Sequence, residues 1–578
     1  MGNRWRSGRQ SRDPGVPRVT GGAVALVLGL PLATALLTQL AASRLGRQSA
    51  RISITGATLT FGAAAVLVGL ALAGKPATSF QLGASWGVVL FDPLSSLMAF
   101  VISGISLVVH VYSRRYMAEE QGYPRFFVLL DLMTAALLLM VCAGDLVTLL
   151  IAWHLIGVLL YFLLGHDSSS QTAHRYASWT LLTYRFGDLP LLLAAVLLYQ
   201  AFGTWSLETI FERIIAAPDT ESLWGLPLAE TVAALVALSA FARSAQFLLH
   251  TWLPYTMSGP TPVSALMHAG IVNAGGFLIN RFAPLFVNTD GVLHWIFVVG
   301  LVTAVIGSVL MLAQNDIKKA LGYSTMGQMG FMIMECGVGA FSLAIYHLIA
   351  HGLFKGTLFL GAGGVINEAR QDDGVPKDDL YTFVVERRPA RRRQPWLVMA
   401  GVTLVVPMTI LVLAHWLVAN DFFQKQGAIV LLFFGWVTGA QLIFSTYRMR
   451  TENIWRLMGL MLFSFTIVVL GYTFISHAFD VFLYPDPVFR SSIYAAAGID
   501  IFWFDVLVVL MTLVVVLGWL VTYYAERDGR RRDSPFGALW RSFYTLVARE
   551  FFVINAYARL SGWLLALATR INVMLRWS

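Results

Sequence analysis

The 578-residue chain is short of charge: 13% of its residues are Asp, Glu, Lys or Arg and 57% are hydrophobic, with a mean hydropathy of +0.68. A soluble domain carries roughly a quarter charged residues, so a water-exposed globule is excluded. Cysteine is scarcer still. The only two, Cys142 and Cys336, lie inside apolar runs, which argues against a disulfide framework or a cysteine-based metal centre. Short alternating strands, the mark of a membrane barrel, are missing. The basic residues are not interleaved with aromatics, so the net charge of +9 does not point to nucleic acid. What the chain does have is apolar runs of about 20 residues, each long enough to cross the ~30 Å hydrocarbon layer. They predict an all-α polytopic membrane protein.

About 15 spans are expected, within a range of 13–16, centred near residues 31, 64, 100, 135, 155, 190, 238, 274, 302, 329, 350, 407, 436, 467 and 512. Clear clusters of Lys and Arg fall in odd-numbered gaps: Arg44, Arg47 and Arg51; Arg114, Arg115 and Arg125; Arg175; Lys318 and Lys319. They continue with the run ERRPARRR at 386–393, with Arg448, Arg450 and Arg456, and with RDGRRR at 527–532. The positive-inside rule makes that side cytoplasmic, with the N-terminus outside and the C-terminus inside. The basic tail at 1–18 is the exception.

The chain divides into that tail, N-terminal spans at 19–125, a core at 126–445, C-terminal spans at 446–534 and a different segment at 535–578. In the last segment, helical spacing puts Arg541, Arg559 and Arg570 on one face and Phe551, Leu560, Trp563, Leu564 and Leu567 elsewhere. That pattern predicts an amphipathic helix in the cytoplasmic interface, with a sixteenth span as the competing reading. The hydrophilic loop at 363–395 is a linker or a docking surface.

Ionisable groups inside spans are costly, and each one is a functional-site hypothesis. For Asp131 and Arg281 a structural pairing is an equally good reading; for a series it is weaker. The series is densest in YHLIAHGLFK, where His347 and His351 share a helix face and Lys355 lies within the same stripe. An imidazole passes a proton between its two nitrogens, and a buried amine can release one reversibly. The stripe therefore reads as a chain of proton carriers. A metal site is the rival, but no carboxylate or thiol lies close in sequence to complete it.

A second cluster spans 241–277, where Arg243 precedes Pro254, Gly259, Pro260 and Pro262, and His268 follows them. These residues predict a broken helix, which membrane proteins tolerate where it lines a cavity or packs on protein. A third, TYRFGDLP, sets Arg185 and Asp188 three residues apart, where a self-neutralising pair is the plainer reading. His154 in IAWHLIG adds another intramembrane imidazole.

RSAQFLLHTWLPYTMSGPTPVSALMHA resembles the most characteristic motif of the antiporter-like subunits of respiratory complex I and the Mrp sodium–proton antiporters. NDIKKALGYSTMGQMGFM, HLIAHGLFKGTLFLGAG and TYRFGD are similar to three further motifs of that family, all between about residues 126 and 365. The resemblance implies antiporter-like inverted repeats and a cation pathway through His154, Arg185, Asp188, Arg243, His268, Asp316, Lys318, His347, His351 and Lys355. Two positions depart from the family. Its Lys ahead of Ser-Ala-Gln is Arg243, and its buried Glu is His154. Arginine does not release a proton as lysine does, and histidine is no permanent anion, so the first half-channel should not work as in complex I.

HAGIVNAGGFLINRFAPL is similar to the DabB membrane subunits of DAB-type inorganic carbon transporters. That resemblance implies the bacterial inner membrane and a pump coupling H+ or Na+ flow to CO2 hydration. It also implies a DabA-like cytoplasmic partner, resembling a β-carbonic anhydrase, that holds the zinc, with no cofactor in this chain. The alternatives are a complex I or Mrp antiporter subunit, or a non-conducting anchor for a soluble enzyme. The 44 residues beyond 534 are too few for the long lateral helix of complex I members.

Overall fold

The computed structural model describes residues 16–369 apart from 76, 82–85, 218–219, 222–224, 257–258 and 315, then 396–418, 454–498, positions 506, 509, 512, 513 and 516, and 535–576. The basic tail up to residue 15, the arginine runs at 386–393 and 527–532, the span expected near 436 and the loop expected at 363–395 from residue 370 on lie outside these residues, while 363–369 belong to the helix Phe341–Ala369 rather than to a loop. The helices run α1 (Val16–Leu45), α2 (Ala50–Leu72), α3 (Pro93–Tyr116), α4 (Tyr123–Val141), α5 (Leu146–Leu164), α6 (Gln171–Phe202), α7 (Leu207–Ala216) and α8 (Leu228–Arg243). After α8 come α9 (Trp252–Tyr255), α10 (Thr261–Ala269), α11 (Ala274–Arg281), α12 (Asp290–Leu312), α13 (Ile317–Gly337) and α14 (Phe341–Ala369). Helices Trp396–Val418, Ile454–Leu483, Pro487–Ala496, Pro535–Ala548 and Val553–Leu575 follow.

Local sequence sets the starts. Asp92, Asp145 and Ser170 cap α3, α5 and α6 by accepting from the backbone N–H three residues on. Gly203, in the left-handed region, closes α6. An antiparallel hairpin, Thr78–Gln81 with Val88–Phe91, joins α2 to α3; the apolar pattern gives no sign of it.

Two compact units divide the chain: one takes in 1–336, 347–361 and 544–578, the other 337–346 and 362–543. Among the described residues, ten stretches are long and apolar enough to cross a membrane. One of them, Thr20–Leu72, takes in α2 and all but the first four residues of α1, turned at a 3-10 corner, Gly46–Ser49. α8 has 16 residues, short for a full crossing, and ends where the backbone breaks.

In the first unit α12 and α13 touch backbone to backbone. A Cβ added at Gly330 would stand 2.3 Å from the Ala304 nitrogen, and one at Gly307 would stand 2.6 Å from the Gly327 nitrogen. Nothing larger than glycine fits at these two positions, the small-residue packing common in membranes. The structural pairings read for Asp131 and Arg281 have partners here: His110 Nε2 lies 3.1 Å from Asp131, and Arg281 donates to Asp92 at 2.7 Å.

The C-terminal segment corrects one expectation. Instead of a single amphipathic helix, Pro535–Ala548 and Val553–Leu575 are separated by a 3-10 turn at Glu550–Phe552. Three successive residues there, Glu550, Phe551 and Phe552, have φ of 54°, 54° and 59°, which no continuous helix admits. Arg559 and Arg570 therefore share a helix face that Arg541, on the preceding helix, does not. Glu550–Leu575 is also one of the ten stretches long and apolar enough to cross.

Candidate functional site

α13 and α14 build the densest polar cluster. On α14, His347 turns Nδ1 toward the Glu335 carboxylate at 3.0 and 3.1 Å, and Nε2 toward the Gln328 amide at 2.9 Å. Because an amide presents either an oxygen or an NH2, Gln328 can serve His347 whether or not the ring is fully protonated. One turn on, the His351 ring stands 6.5 Å from that of His347, is buried, and has no protein hydrogen-bond partner at either nitrogen. A further turn brings Lys355, also buried, whose Nζ donates to Ser324 Oγ at 2.9 Å and approaches the Leu321 carbonyl at 3.5 Å. His268 of α10 joins from the side, with Nδ1 3.0 Å from Thr325 Oγ1 and its ring stacked 4.3 Å from Phe359. α13 thus carries the polar groups that meet each of these side chains except His351.

Asp316 and Lys318 stand apart from this stripe. Asp316 is exposed and caps α13, accepting from the Lys319 N–H at 2.8 Å. Lys318 is half-exposed, about one turn before Leu321. Glu335 and Gln328 were not singled out in the sequence, although Glu335 meets the test of an ionisable group inside an apolar run. It supplies the carboxylate absent from the neighbourhood of His347 in sequence. Even so, no three His, Cys, Asp or Glu side chains converge as metal ligands among the described residues.

The second cluster gathers on Asp188. Its carboxylate lies 3.0 Å from Arg185 Nη1, 3.3 Å from Arg243 Nη2 and 3.4 Å from His154 Nδ1. Arg185 also contacts the His154 ring, with Nη1 3.0 Å from Nε2. Arg185 and Asp188 therefore do not simply neutralise each other: one carboxylate serves two guanidiniums and an imidazole. Arg243 is buried and sandwiched, its Cζ 4.5 Å from the Trp153 ring and 4.0 Å from the Tyr184 ring, and it also donates to the Trp153 carbonyl. Aromatic faces and a carboxylate hold it as a permanent cation. His154, by contrast, is 56% exposed on the outer face of α5.

The helix break is real but begins earlier than the prolines suggest. α8 stops at Arg243, and 244–251 is irregular, with Ala245 and Leu248 at φ of 49° and 75°. Pro254 lies inside the short α9; Gly259 precedes Pro260, which caps α10, and Pro262 occupies its first turn. Prolines 260 and 262 thus start a helix rather than interrupt one, as a fixed φ near −65° permits. A second interruption, Ile271–Asn273 in 3-10 form, separates α10 from α11.

The family described as NADH:quinone oxidoreductase/Mrp antiporter, TM, matches residues 143–442, and that described as NADH-ubiquinone oxidoreductase (complex I), chain 5 N-terminus, matches 79–127. The probable inorganic carbon transporter subunit DabB1 of Halothiobacillus neapolitanus is 62% identical over 550 residues, covering 95% of this chain and 98% of that protein. The chain belongs to this antiporter-like membrane family, in its DabB branch. A chloroplastic NAD(P)H-quinone oxidoreductase subunit 5 of Piper cenocladum is 38% identical over 55% of this chain and 42% of its own. Two solved structures share the fold: an Mrp complex from Dietzia (TM-score 0.52, 24% identity, 96% of this chain and 63% of the other) and the archaeal membrane-bound sulfane sulfur reductase (0.56, 16%, 93% and 98%). Like its family, the chain is a multi-pass membrane protein related to transporter subunits rather than to soluble enzymes.

Proposed function

We propose that the chain is the proton-conducting membrane subunit of an energy-coupled inorganic carbon pump, working with a cytoplasmic carbonic-anhydrase-like partner that holds the zinc. The observation that carries this reading is the line Glu335, His347, His351, Lys355, buried except for the part-exposed His347 and flanked by His268 and by the hydroxyls and amide of α13. A carboxylate at one end and an amine at the other bracket two imidazoles, each able to take a proton at one nitrogen and give it up at the other. The unpartnered nitrogens of His351 are free to switch between His347 and Lys355. The alternative of H+ replaced by Na+ finds less support, since a sodium path needs several oxygen ligands at one place and here the groups are mainly nitrogen.

The Asp188 cluster takes a different part. Arg243 stays charged, so it acts as a fixed electrostatic barrier, leaving Asp188 and His154 as the groups of that cluster able to exchange a proton. This supports conduction through the α13–α14 half and favours a non-conducting anchor only for the first half. The partner docks on the cytoplasmic face, through the C-terminal segment or the 363–395 loop. The deciding experiment is Lys355→Ala in a host lacking its own carbonic anhydrase. The variant should insert and fold but lose energy-dependent carbon uptake; wild-type growth at air-level CO2 would reject the relay.

A further inference from the structure

Every described non-glycine residue with positive φ lies in one of two segments: Ala245 and Leu248 in the helix break, and Glu550, Phe551 and Phe552 in the C-terminal turn. Side chains in this backbone region are rare, and a run of three persists only where the surroundings hold it. The two segments hold each other. Phe551 packs edge-on against Phe247 at 6.2 Å between centroids, and the Tyr557 hydroxyl donates to the Leu248 carbonyl at 2.7 Å.

Between them sits a charged hub. Glu550 is buried, yet it receives Lys319 Nζ at 2.5 Å and the Tyr255 hydroxyl at 2.9 and 3.0 Å. Lys319 in turn lies over the Tyr255 ring at 4.5 Å, and Tyr323 is within electrostatic reach of the carboxylate. Lys319 and Tyr323 belong to the first two turns of α13, the helix that presents Ser324, Thr325 and Gln328 to the proton carriers. Tyr255 belongs to the break that leads to His268.

We propose that the C-terminal turn is a strap: Glu550, by clamping Lys319 and Tyr255, holds the helix break and the start of α13 in the arrangement the ion pathway needs, so that a partner seated on the tail is coupled to conduction. The inference rests on the conduction reading above and deepens it. Glu550 is a positioning residue; it touches no proton carrier itself.

The test measures proton flux in vesicles holding the full-length chain co-expressed with its partner. Glu550→Gln keeps the shape and the acceptor for Tyr255 but removes the counter-charge of Lys319. It should cut flux at least about fivefold, the lower end of coupling between sites, and shift the pH profile, while Glu550→Asp recovers part of both. The charge exchange Lys319→Glu with Glu550→Lys should conduct better than either single change. Phe551→Gly, which eases the left-handed turn and deletes the ring against Phe247, gives a second route should Glu550→Gln fold poorly; it too should lower flux. Unchanged flux and pH profile in Glu550→Gln, or an exchange variant no better than the singles, overturns the strap while leaving conduction standing. A wild-type chain that conducts no protons overturns both readings together.

Discussion

Replacing Asp188 by Asn removes one negative charge from beneath two guanidiniums. Arg243 is only 1% exposed and Asp188 15%, so water can do little to compensate. Breaking a buried pair by deleting one partner costs about 3–5 kcal/mol, because a desolvated charge is left behind. The rings of Trp153 and Tyr184 remain on Arg243 and keep the loss near the lower limit, since cation–π contact with a desolvated cation stabilises by about 2 kcal/mol. A loss of ~3 kcal/mol lowers the folded-to-unfolded ratio about 100-fold. The assay is the fraction of monodisperse protein surviving a heating series in detergent. Asp188→Asn should fall well below wild type, and the double variant Asp188→Asn, Arg243→Gln should recover most of the loss, because the fully buried charge is then gone and Arg185, 28% exposed, can be solvated. If the single variant survives like wild type, or the double is worse than the single, Asp188 is not the counter-ion and this account of Arg243 is wrong.

Truncation after residue 534 should release the cytoplasmic partner from purified membranes while leaving this subunit in place; retention of the partner after both truncation and replacement of the 363–395 loop would move the interface to the short connections between spans. In the loop between α5 and α6, burial and then the nearby Arg125 hold the proton affinity of His166 below its ordinary 6.5, so the fold favours the neutral ring. That contribution is intact above 6.5 and is lost as the pH falls below it; proteolysis of the 165–170 loop should rise on acidification in wild type and stay flat in His166→Gln.

The membrane class, the helical fold and the helical spacing of His347, His351 and Lys355 were legible because each rests on local composition or period. The break between Arg243 and His268 was legible, but not the part its prolines play, since proline marks where a helix may start as readily as where one stops. The Asp188 cluster was half legible: Arg185 and Asp188 are neighbours on one helix, but Arg243 is 55 residues away and reaches them only through packing of α6 on α8. Glu335 and His110 were legible on the same ground as the other intramembrane charges, since both are ionisable residues in apolar runs. The hub at Glu550 could not be read at all. Its partners, Lys319 and Tyr255, are 231 and 295 residues away in sequence, and left-handed backbone at Phe551 and Phe552 has no compositional sign.

At Gly300, Gly307 and Gly330, α12 and α13 lie so close that a single methyl group would collide with main-chain atoms of the facing helix. Rotating α13, or sliding it by a residue, would bring a side chain into the backbone of α12 at these glycines. The hydroxyls and amide that α13 offers to His268, His347 and Lys355 therefore sit on a helix held fast by its neighbour, and rearrangement is left to rotamers on α14, to the irregular stretch after Arg243, or to the C-terminal turn clamped onto Lys319 and Tyr255.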